Sequence, residues 1–166
     1  QIIQTQVFDD KIIRNVSGRD FEQLTLGRTF TESYRRGKYL FARLDNGHDI
    51  LLHFGMTGDL NYYESGEDAS KHERFVFHLA NGYKLGFDCP RKFARILYLE
   101  DREAYIQQIS LGPDVLELSM AGFLERTQGK RGSIKGFLLN QKNLAGRGNL
   151  YADWVCYQTK VHPASI

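Results

Sequence analysis

The chain is short of cysteine, of long apolar runs and of net charge, and each shortage removes a class of protein. Two cysteines among 166 residues, Cys89 and Cys156, supply no disulfide framework and cannot by themselves make a four-ligand zinc site. A reducing, intracellular (cytoplasmic) setting is the resulting expectation. No run of about 18 apolar residues occurs, so no membrane span is expected, and the start of the chain shows no signal-peptide pattern. A formal net charge of +2 is too mild to announce nucleic acid from composition alone. With 42% hydrophobic and 25% charged residues, the sequence reads as a globular protein with one sizeable core or two small ones sharing an interface.

The distribution of charge says more than its sum. Between Arg126 and Arg147 stand six basic residues (Arg126, Lys130, Arg131, Lys135, Lys142, Arg147) and no acidic one. Between Tyr34 and Arg43 stand four more (Arg35, Arg36, Lys38, Arg43), again without an acidic neighbour. A single such run is ordinarily a solvated face; two, in different halves, point toward an anionic partner.

Patterning divides the chain. KYLFARL (38–44) and DILLHFG (49–55) flank a turn, Asp45-Asn46-Gly47-His48, that tolerates positive φ, and RFVFHL (74–79) and YKLGFD (83–88) are joined through Ala80-Asn81-Gly82, so two hairpins are predicted. ARILYLE (94–100) predicts a further strand, and SGRDFEQL (17–24) a short helix capped by Ser17. After Glu100 the pattern turns helical: DREAYIQQIS, then MAGFLERT, SIKGFLLNQ and NLYADWVCYQTKV, with a break at Leu111-Gly112-Pro113 and a stop at His162-Pro163. The expected class is α+β: residues 1–110 an antiparallel β domain, residues 111–166 a helical one.

Four stretches suggest chemistry. In LAGRGNLYADW (144–154), two glycines and Arg147 precede a helix whose expected N-cap is Asn149; free amides at such a start suit an anion, commonly phosphate. An ordinary tight turn has the same pattern. In SIKGFLLNQ, Ser133 is the expected cap and Lys135 falls in the first turn, where a cation opposes the helix dipole by roughly 0.3–1 kcal/mol; the arrangement is favourable when an anion is shared. HFGMTGDL (53–60) presents Met56 between glycines beside His53, and CPRKFA (89–94) sets Arg91 and Phe93 on a turn. Exposed apolar side chains so placed suit insertion into a gap in a base stack, although core filling uses the same residues.

Taken in order, RRGKYL (35–40), HFGMTGDL, PRKF, KGFLLNQKNLAGRGNLYAD and the closing His-Pro resemble the formamidopyrimidine-DNA glycosylase family over nearly the whole chain. The resemblance implies an N-terminal β-sandwich and a helix–two-turn–helix domain with damaged double-stranded DNA in the cleft between them. It implies base-excision repair: removal of oxidised purines such as 8-oxoguanine, then β,δ-elimination at the abasic site. By motif, Lys38 is the lysine that contacts phosphate and assists catalysis. Met56, Arg91 and Phe93 fill the void left by a flipped base, and His53, Lys135 and Asn149 are phosphate contacts, with Arg147 beside them on the DNA-binding loop. A monomer is expected.

The departures from the family are equally specific. Its nucleophile is an amino-terminal proline followed by a glutamate, whereas this chain begins Gln1-Ile2-Ile3; its four-cysteine zinc finger would follow Ile166. No cofactor is therefore expected in these residues, zinc being expected in the finger of a parent protein, and the chain alone is expected to be inactive. Arg147 stands where an aliphatic residue is usual, Trp154 for an acidic one, Cys89 for aspartate and Ala94 for glycine. The alternatives are a non-catalytic module for damaged DNA and an RNA-binding domain. Met56 and Phe93 disfavour the latter, since a stack wedge serves a duplex that has lost a base.

Overall fold

The computed structural model describes residues 1–165. Its first 100 residues form two four-stranded sheets. One runs in the order β1 (Ile2–Val7), β6 (Glu73–Leu79), β7 (Tyr83–Asp88), β5 (Asp59–Glu64); the other runs β2 (Phe30–Arg36), β3 (Tyr39–Leu44), β4 (Asp49–His53), β8 (Arg95–Leu99). The pairings are antiparallel: β3 to β4 and β4 to β8 in one sheet, β1 to β6, β6 to β7 and β5 to β7 in the other, with short turns joining β3 to β4 and β6 to β7. The predicted hairpins form, with Gly47 at φ 83° and Gly82 at φ 82°, a backbone conformation that glycine adopts without a Cβ penalty. β1, β2 and β5 show no clear alternation in the sequence, half or more of the residues in each being exposed.

Alternation builds the core. Ile50 and Leu52 of β4, Phe75 and Phe77 of β6, Phe87 of β7 and Ile96 of β8 join one buried cluster, with Leu40, Ala42 and Leu85 packed against it. Helix α1 (Gly18–Thr25), capped by the Ser17 hydroxyl accepting from the Asp20 amide, adds Phe21 to that cluster. The Phe21 ring meets Phe75 edge-on at 5.5 Å, and Phe75 stacks on Phe87 at 5.3 Å. Each such buried ring contributes roughly 1.5–3 kcal/mol through burial.

The remaining chain carries α2 (Arg102–Gln108), α3 (Met120–Thr127), α4 (Ile134–Leu139) and α5 (Asn149–Thr159). Leu138, Leu144, Ala152 and Cys156 form its core, with Phe123, Phe137 and Val155 against them. The chain separates into two compact units: Gln1–Arg35 with Tyr39–Arg102, and Arg36–Lys38 with the chain from Glu103 on. The β2–β3 turn thus belongs to the helical unit. The Arg36 guanidinium explains this locally, donating from Nε to the Gly112 carbonyl at 2.8 Å and from Nη2 to that of Leu111 at 2.9 Å.

Candidate nucleic-acid interface

In the β-sandwich unit, three expected wedge residues lie on two adjoining turns. The β4–β5 connection closes tightly, the Gly58 amide donating to the Phe54 carbonyl at 2.9 Å. Gly55, at φ 65°, has no room for a side chain, because a Cβ there would lie 2.7 Å from the Phe93 carbonyl carbon and oxygen. This close approach sets the Met56 turn against the backbone of Phe93. Met56 is 71% exposed and Phe93 52%, so neither is core. Arg91 lies over the Phe93 ring, 4.9 Å from its centroid, a cation–π contact. His53 ends β4 with its ring 5.0 Å from that of Tyr39, and its Nδ1 accepts the Gly55 amide at 3.2 Å. Neutral His53 therefore carries its proton on Nε2.

In the helical unit, the Gly37 amide donates to Asp114 Oδ2 at 2.7 Å, and Asp114 Oδ1 accepts from Leu116 at 2.9 Å. Asp114 is buried. The Gly37–Lys38 turn it receives also touches Gly146: a Cβ on Gly37, at φ 62°, would sit 2.7 Å from the Gly146 amide nitrogen. The Lys38 ammonium comes beside the start of α5, 3.2 Å from where a Gly148 Cβ would be. Arg147, one residue earlier, has a buried Nε with no hydrogen-bond partner among the described residues.

Two sequence expectations need correction here. Asn149 does not cap α5. The N-cap is Gly148, no side chain caps that end among the described residues, and Asn149 is the first helical residue, reaching Asp153 Oδ2 at 3.3 Å. Gly148 at the cap keeps clear the space beside the Lys38 ammonium, which a larger residue would crowd. The amides at the start of α4, by contrast, are engaged within the chain. Ser133 Oγ takes the Gly136 amide, as expected, while the amides of Ile134 and Lys135 donate to the carbonyls of Ser165 and Pro163. Lys135 has found its anion within the chain: Nζ lies 2.6 Å from Asp153 Oδ1. Asp153, which joins Lys135 to Asn149, was not singled out in the sequence, nor was Asp114. Asp153 closes the KGFLLNQKNLAGRGNLYAD stretch, but nothing local marks it as the partner of Lys135, and Asp114 lies in none of the quoted stretches.

The comparisons with known proteins cover both parts of the chain. The family model described as "Formamidopyrimidine-DNA glycosylase N-terminal domain" matches residues 1–96, and that described as "Formamidopyrimidine-DNA glycosylase H2TH domain" matches 111–166. The formamidopyrimidine-DNA glycosylase of Lactiplantibacillus plantarum is 36% identical over 98% of this chain and 60% of its own length. That of Arabidopsis thaliana is 32% identical over 93% and 44%. The chain thus spans about 60% of the length of bacterial relatives such as the former. Among solved structures, the Lactococcus lactis enzyme with DNA containing FAPY-dG has a TM-score of 0.90 at 24% identity, covering 99% of this chain and 63% of that one. The same enzyme non-covalently bound to DNA with an AP site gives 0.89 at 24% identity, with 99% and 63% covered. These structures share its fold: an N-terminal β-sandwich and a helix–two-turn–helix domain. With both parts of the sequence matched in order, the chain belongs to the formamidopyrimidine-DNA glycosylase family.

Proposed function

We propose that these residues are the damaged-duplex-binding scaffold of a DNA glycosylase and abasic-site lyase of base excision repair, working as a cytoplasmic monomer on oxidised purines such as 8-oxoguanine. The observation that carries this reading is the exposure of Phe93, 52%, beneath Arg91 and beside the Met56 turn. An aromatic ring held in solvent contributes little to stability, yet it offsets lost stacking where a base leaves the helix. Arg91 supplies donors for the orphaned partner base. Lys38, with Arg147 and the amides of the α5 start around Gly148 and Asn149, supplies positive potential for one phosphate; His53 supplies a further backbone contact, and Lys135, whose charge Asp153 partly neutralises, a weaker one. Among the described residues no group of three His, Cys, Asp or Glu side chains is placed to hold a metal ion, and zinc is assigned to the finger of the parent protein. Among the described residues no helix is long and apolar enough to cross a membrane.

The test is a pair of affinities, for a duplex carrying an abasic-site analogue and for the same duplex undamaged. The expected result is a preference for the abasic duplex that Lys38→Ala does not remove, although it weakens both affinities. Equal affinities for the two duplexes would overturn the reading. Lyase chemistry is tested by borohydride trapping on abasic DNA. Forming the imine with the abasic-site aldehyde, which borohydride then reduces, needs an unprotonated amine, and ordinary lysines, with a pKa of ~10.4, supply few at neutral pH. The 166-residue polypeptide is therefore expected to trap slowly, and fast trapping would reveal a nucleophile of its own.

A further inference from the structure

The turn that bears Arg91 and Phe93 is anchored from beneath by residues with no part in the motif. Asp9 follows β1, and its carboxylate meets two cations. Lys92 Nζ lies 2.5 Å from Asp9 Oδ2, and Arg74 Nη1 lies 3.6 Å from the same oxygen. Arg74 also grips the turn's backbone, donating from Nε to the Cys89 carbonyl at 2.8 Å and from Nη2 to that of Pro90 at 3.3 Å. The Arg74 carbonyl in turn accepts the amides of Phe8 and Asp9 at 2.8 and 3.1 Å. Asp9 Oδ1 takes the Lys11 amide at 3.1 Å, which fixes the carboxylate's orientation.

The turn needs such an anchor. Lys92, between the two wedge residues, sits at φ 56°, a left-handed conformation that is unfavourable for a non-glycine residue. In this conformation the Lys92 ammonium meets Asp9, while Arg91 and Phe93 on either side of it are exposed. The Asp9 and Arg74 side chains are only 15% and 13% exposed, so the pair is partly shielded from solvent screening.

We propose that Asp9, with Arg74, is a positioning residue for the wedge: by holding Lys92 in its left-handed conformation it keeps Phe93 and Arg91 presented together, and the preference for damaged duplex depends on it. This rests on the wedge reading above. The hydrogen bond from Lys92, against the opposing effect of burial, leaves the Asp9 carboxyl below the usual carboxylate range, so the anchor is charged at neutral pH.

The test uses the 166-residue chain and the ratio of its affinities for abasic-analogue and undamaged duplex. Partial unfolding lowers both affinities alike and leaves the ratio unchanged, so the ratio reports positioning rather than stability. Phe93→Ala is expected to reduce the ratio by about tenfold, the scale of one lost base–aromatic stack. Asp9→Asn is expected to reduce it comparably, and the double variant to be no worse than Phe93→Ala alone. Lys92→Met breaks the same pair at a half-exposed position and should repeat the loss of ratio even where Asp9→Asn folds poorly. An unchanged ratio in Lys92→Met, or losses that multiply in the double variant, would overturn the inference. If Phe93→Ala itself leaves the ratio intact, the wedge reading fails first and takes the role of Asp9 with it.

Discussion

The amide of Gly37 donates to the buried carboxylate of Asp114, 77 residues later, at 2.7 Å. This bond seats the Gly37–Lys38 turn in the helical unit and sets Lys38 beside the start of α5. Gly37→Ala would add a Cβ at φ 62° and 2.7 Å from the Gly146 backbone nitrogen. Gly27 provides the control, since it has φ 76° but nothing within 4 Å of the place a Cβ would take. Gly27→Ala is therefore expected to cost only the backbone term, about 1–2 kcal/mol. Gly37→Ala is expected to lower the melting temperature further and to weaken DNA binding, which Gly27→Ala leaves intact. Equal effects of the two would remove the close approach from the account.

Salt dependence tests the phosphate contacts. About four contacts, each displacing a counterion, give a slope of roughly −3.6 in log K against log salt. Lys38→Ala should reduce that slope by about one. Lys135→Ala should reduce it by less, because Asp153 already neutralises part of its charge at 2.6 Å. Asp153→Asn is then expected to raise DNA affinity and steepen the slope. A fall in affinity would show that Asp153 serves mainly to hold Lys135 and Asn149 in place.

Phe93 and Phe77 separate wedge from core. Phe77 is 1% exposed within the sandwich, and Phe77→Ala is expected to cost about 3–5 kcal/mol. Phe93→Ala should leave thermal unfolding nearly unchanged while weakening binding to abasic duplex more than to undamaged duplex. A large drop in its melting temperature without that selective loss would return Phe93 to the core.

Two carboxylates give opposite pH responses. Asp9 is held below the usual range by Lys92, so its stabilisation is present above the ordinary carboxylate pKa of ~3.9 and is lost as pH falls below it. Asp9→Asn should flatten that acid limb. Glu73 is pushed up by burial, against the opposing hydrogen bond from the Tyr63 hydroxyl at 2.7 Å. Its stabilisation is complete below the ordinary glutamate pKa of ~4.3 and is lost as pH rises through its raised value. Glu73→Gln, which keeps an acceptor for Tyr63, should therefore raise the melting temperature at pH 7. Melting temperatures of the three proteins between pH 3 and 8 decide both signs.

Local patterns carry far in this chain. The period-two alternation of RFVFHL and the Asn-Gly turns named the central hairpins, because burial of one sheet face and positive φ each demand particular residue types at fixed spacing. Ser17 and Ser133 cap the helices they were expected to cap, since that bond spans only three residues. Asn149 was misread for the same reason. At its neighbour Gly148 a side chain would crowd the Lys38 ammonium, and Lys38 is brought there by residues far away in the chain.

What the sequence determined by itself is the central hairpins and the β-then-helical plan, properties of windows a few residues wide; it left Met56 and Phe93 open between wedge and core. Tertiary structure decided the rest. It paired Gly37 with Asp114, gave Lys135 to Asp153, and set Asp9 and Arg74 beneath the turn of Lys92. A buried or half-buried charge takes whichever partner the packed fold brings within a few ångströms, and that distance is unrelated to separation along the chain.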